Sequence, residues 1–169
     1  KVPTRKLLED SYHFWYIGKS YYDSTLGEYP LGMDHIREYA RRSIFYFGQY
    51  LNFKHDYHNT GQAKQMDELA YFALYAMGDM FKLCGNYEKA LDCGMKAEEF
   101  APPRNEHIVL QAECYKDLND FDSMKVQTDR LMDPNRKLPF PEFNFLLNME
   151  HYNDSGKYCE QLHQIANQV

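Results

Sequence analysis

Two small residues, Gly78 and Ala112, stand 34 residues apart, and the residues around them recur at the same interval. Leu74, Met77, Gly78 and Phe81 have helical spacing, with a small residue where a second helix can cross closely. Ile108, Ala112 and Tyr115 repeat the pattern. Gly85-Asn86 ends the first helix, because glycine supplies the left-handed residue of a helix C-terminal turn, and Asn119 takes the same place in the next copy. Tyr87, Ala90 and Ala97 then mark a second helix that Pro102 stops. Phe121, Met124 and Leu131 mark its counterpart, ended by Pro134. A period of this length signals stacked helix pairs, none of which can bury its apolar face alone.

Looser copies flank these two. Upstream, Phe14, Ile17, Gly18 and Tyr21 repeat the first-helix spacing, and Ala40, Ile44 and Phe47 mark the partner helix. The intervening stretch from Ser24 to Gly32 reads as a lengthened turn, and Asn52 to Gly61 reads as a polar loop. Downstream, Phe145, Met149 and Tyr152 are followed by Gly156, Tyr158, Leu162 and Ile165. Gln161 and Gln168 stand there where small residues would pack, as expected of a terminal repeat with a polar outer face. The unit of bulky, bulky, small, aromatic, then small, small and proline resembles the tetratricopeptide repeat. The expected fold is therefore all-α: a right-handed α-solenoid of about four antiparallel helix pairs. One domain would span residues 1–169, with units at about 7–53, 63–102, 104–134 and 141–168. No strand-like alternation or Asn-Gly hairpin signal competes.

Composition agrees with a packed helical chain. Of 169 residues, 44% are apolar and 16% aromatic, against 9 glycines and 7 prolines, enough apolar material to offset chain entropy. A net charge of −6 argues against a nucleic-acid groove or an anionic membrane surface as partner. No stretch reaches the length of a membrane-spanning helix, and no signal-peptide core follows the basic start Lys1-Val2-Pro3-Thr4-Arg5-Lys6. That start, with Lys in place of Met, reads as a piece of a longer protein. Cys84, Cys93, Cys114 and Cys159 lack metal-site spacing. They are expected to be reduced packing residues, which suits a cytoplasmic setting. The sequon Asn153-Asp154-Ser155 is a short triplet of a kind that arises often by chance.

Chemistry-bearing motifs are sparse. His55-Asp56-Tyr57-His58 offers two imidazoles and a carboxylate, which would hold zinc if a further ligand came from elsewhere; the plainer reading is a solvated loop. Asp120-Phe121-Asp122 has the form of a cation-binding triplet. Phe121, however, is the aromatic residue of the repeat turn, and a carboxylate in a first helical turn is favoured by the helix dipole alone. There is no G-x-S-x-G elbow, S-x-x-K, phosphate-binding loop or G-x-G-x-x-G. No catalytic, cofactor-binding or metal-binding residue is therefore nominated, and no cofactor is expected.

In a solenoid of this kind the first helices line the concave surface. Tyr12, Trp15, Lys19 and Tyr22 would face inward from the first unit, Phe72, Tyr75, Asp79 and Lys82 from the second, and Glu106, Glu113 and Lys116 from the third. This set is aromatic and mixed in charge, unlike a cationic clamp for a peptide carboxylate. It suits a peptide, a sugar or another domain, unless the rings simply pack between repeats.

Three stretches carry a closer resemblance. Phe14-Trp15-Tyr16-Ile17-Gly18-Lys19-Ser20-Tyr21-Tyr22-Asp23 with Ala40-Arg41-Arg42-Ser43-Ile44-Phe45-Tyr46-Phe47 resembles the first repeat found downstream of the catalytic domain in certain glycosyltransferases. Asp67 to Gly78 is similar to the next helix of that tail, and Ala101-Pro102-Pro103-Arg104-Asn105-Glu106 to its inter-repeat link. In that family the sugar-nucleotide site lies in a preceding α/β domain. The resemblance thus implies a non-catalytic accessory segment, partnered by another domain of its own chain or by a protein or peptide. Carbohydrate would enter only through the parent transferase. The alternative expectation is a stand-alone adaptor that binds a partner protein or peptide in its groove.

Overall fold

A computed structural model of the chain describes residues 5–26, 33–56, 63–100, 104–133 and 135. Among them the backbone forms six α-helices, a single 3-10 turn and no strand. The helices are α1 (Arg5–Leu26), α2 (Met33–Asp56), α3 (Ala63–Leu83), α4 (Tyr87–Ala97), α5 (Glu106–Asp117) and α6 (Phe121–Leu131), with the 3-10 turn at Glu98–Phe100 after α4. The chain divides into two compact units, Lys1–Ala101 and Pro102–Val169. The expected fourth repeat at 141–168, the prolines Pro102 and Pro134, and Cys159 lie outside the described residues.

Two helix ends differ from the sequence expectation. α1 runs on to Leu26, past the expected start of the turn at Ser24. Ser24 Oγ donates to the carbonyl of Ser20 at 2.8 Å, and Thr25 Oγ1 to that of Tyr21 at 2.8 Å, so both hydroxyls are satisfied against their own helix. α2 runs on to Asp56, which removes Asn52–Asp56 from the expected polar loop. Phe53, half-buried three residues beyond the fully buried Tyr50, extends the apolar face by one more turn.

In the first unit, α1 and α2 form a pair, α2 also packs along α3, and α3 pairs with α4 across a short turn. The core sets large rings against small side chains. Trp15, Tyr22, Phe47 and Tyr50 from α1 and α2 gather with Ala70, Ala73, Ala76 and Met80 of α3 in one buried cluster. Alanine on every exposed turn would be unremarkable; a stripe of fully buried alanines lets a neighbouring helix approach closely enough for the rings to fill the gap. Within the α1–α2 pair the close point is Gly18, whose carbonyl accepts from buried Ser43 Oγ at 2.9 Å. A Cβ on Gly18 would lie 3.0 Å from ring atoms of Phe47.

The second unit, over the described residues, is the α5–α6 pair. Met124 packs on Ala112 with Tyr115 beside them. Its turn reproduces the α3–α4 turn bond for bond, displaced by the repeat length. Gly85 N–H donates to the Lys82 carbonyl and Asn86 N–H to that of Phe81; Asn119 N–H donates to Lys116 and Asp120 N–H to Tyr115. This is a left-handed helix ending in both copies, with φ of 78° at Gly85 and 59° at Asn119. Side-chain caps then start the next helices: Asn86 Oδ1 accepts from Lys89 N–H at 3.2 Å, and Asp120 Oδ1 from Ser123 N–H at 3.1 Å.

Two outcomes follow from this backbone. Gly85→Ala should cost about 1 kcal/mol and Asn119→Gly should gain roughly 0.5 kcal/mol, because only glycine adopts the left-handed conformation without a Cβ penalty; urea denaturation followed by circular dichroism measures both. A loss of stability in Asn119→Gly would mean that the two turns are not equivalent. The same experiment separates two helical glycines. Gly18→Ala should destabilise by about 1–2 kcal/mol through its clash with Phe47. A Cβ on Gly48 meets nothing within 4 Å, so Gly48→Ala should stabilise by up to about 1 kcal/mol.

Candidate functional site

The expected concave residues of α1 and α3 converge on one aromatic seam. Trp15 and Tyr22, two turns apart on α1, are 7% and 8% exposed. Both lay their rings on Phe72 of α3, with centroids at 5.3 and 5.7 Å. Phe72 in turn meets Tyr75 at 5.0 Å and Phe47 of α2 at 6.0 Å, both edge-on, the arrangement that ring quadrupoles favour.

Each buried ring of α1 also delivers its polar end to α3. Trp15 Nε1 donates to the Leu69 carbonyl at 2.9 Å, and Tyr22 Oη donates to Asp79 Oδ2 at 2.9 Å. Burial raises the Tyr22 phenol far above its ordinary range, and the Asp79 carboxylate adds to the shift, so the hydroxyl stays protonated as a donor. Burial likewise raises the Tyr50 phenol. It raises Tyr12 as well, helped by Tyr16.

Around this seam Tyr12, Lys19, Phe72, Tyr75, Asp79 and Lys82 are half-buried. Lys19 forms an ion pair with Asp23 at 2.6 Å, one helical turn on, a contact of small stability value between solvated side chains. Tyr16 lies outside the expected concave set. It is 62% exposed and sets its ring edge-on to Trp15 at 5.1 Å. Its place four residues after Tyr12 was the available signal. Glu106, Glu113 and Lys116 belong to the second unit. There Glu106 is exposed, accepting from Asn105 N–H at 3.2 Å, while Glu113 and Lys116 are half-buried and Lys116 Nζ lies 4.0 Å from Asp117.

The polar motifs resolve into structural roles where they are described. Asp120 of the Asp-Phe-Asp triplet is the N-cap of α6, and its hydrogen bond to Ser123 holds its carboxyl below the usual carboxylate range. His55 and Asp56 fall in the last turn of α2, while Tyr57 and His58 lie outside the described residues. No group of three or more His, Cys, Asp and Glu side chains that could hold a metal occurs among the described residues. Cys84, Cys93 and Cys114 are free thiols. Burial, with Asp92 nearby, pushes the Cys93 thiol up to about 12, which keeps it a packing group at neutral pH. No described helix is long and apolar enough to cross a membrane.

No protein-family model matches this chain, and no curated protein matches it.

The geometry makes the Tyr22 hydroxyl one of two polar ties between α1 and α3. Tyr22→Phe keeps the ring and deletes only that donor, so it should destabilise by about 1.5–3 kcal/mol, the range for a hydrogen bond to a charged acceptor. Urea midpoints of the two proteins measure the difference. An unchanged midpoint would show that the bond is replaced by water at no cost.

Proposed function

We propose that this chain is a tetratricopeptide-like helical-repeat segment that makes no bonds itself and serves as the accessory, interaction part of a glycosyltransferase. The observation that carries the repeat reading is the translated turn: five backbone and capping hydrogen bonds of the α3–α4 turn reappear 34 residues later at α5–α6. Helix pairs with such turns are the units of a right-handed α-solenoid, and the four-unit arrangement belongs to this proposal. The transferase part of the reading is supported by the resemblance of Phe14–Asp23, Asp67–Gly78 and the Ala101–Glu106 link to a glycosyltransferase tail. A cytoplasmic setting is supported by the free thiols Cys84, Cys93 and Cys114.

An adaptor that binds a peptide along α1 and α3 is the second reading. It is favoured by Tyr16, an exposed ring in contact with Trp15 and one turn from Tyr12. Exposed tyrosine beside a rigid aromatic base is the kind of anchor that interfaces use.

The full reading frame that contains Lys1–Val169 decides between them. Under the transferase reading it encodes an upstream α/β domain with sugar-nucleotide-dependent transfer. Removing residues 1–169 then lowers acceptor capture (a higher KM) more than it lowers turnover. A frame without an α/β transferase domain overturns that reading and leaves the adaptor.

A further inference from the structure

We draw no further inference here: the strongest candidate, the surface patch of half-buried rings Phe14, Tyr21, Tyr39 and Tyr46 between α1 and α2 with the exposed Phe45 beside it, carries nothing because nothing in the structure shows what covers it.

Discussion

The first unit depends on a size match between two kinds of side chain. Trp15, Tyr22, Phe47 and Tyr50 are large, and the α3 positions that receive them, Ala70, Ala73 and Ala76, are small and wholly buried. Removing one such ring costs about 3–5 kcal/mol, because the lost burial is compounded by a cavity, so the rings supply much of the adhesion between helices. Adhesion alone would leave α1 free to slide along α3. The two polar ends prevent it: Trp15 is tied to Leu69 and Tyr22 to Asp79. A shift by one helical turn, about 5.4 Å, would break both bonds and bring each ring against a different residue. These two hydrogen bonds add direction to an apolar attraction that has little of its own.

The same residues explain why the site was only partly legible from sequence. Helical spacing places Tyr12, Trp15, Lys19 and Tyr22 on one stripe of α1, and the structure joins that stripe to Phe72 and Asp79. Spacing says nothing about how deep the neighbouring helix sits. Trp15 and Tyr22 are therefore consumed by packing, while Tyr16, on the shoulder of the stripe, stays exposed. The depth comes from the alanines of α3, a tertiary fact written in a distant part of the chain.

Turns were far easier to read than helix ends. A left-handed residue followed by a side-chain cap is a local requirement, met by Gly85-Asn86 and again by Asn119-Asp120, so four residues announce it wherever they occur. The ends of α1 and α2 have no such local rule. Ser24 and Thr25 look like turn residues, yet each turns its hydroxyl back onto its own helix. Phe53 looks isolated in a polar stretch until Tyr50 shows which face it continues. At both helix ends the partner of the side chain, and not its residue type, decides the conformation.

What remains for function is a matter of which groups the fold already employs. Asp79 receives Tyr22, Asp120 caps α6, Ser43 ties Gly18, and Cys93 is held protonated in the core. These four side chains are thus engaged in holding helices in place. The aromatic side chains divide differently. One set is closed off in the α1–α3 seam, and the other, Phe14, Tyr21, Tyr39 and Tyr46, is clustered between α1 and α2 and half-buried. Rings held in such contacts have already lost much of their side-chain freedom, so keeping them ordered costs the fold little more.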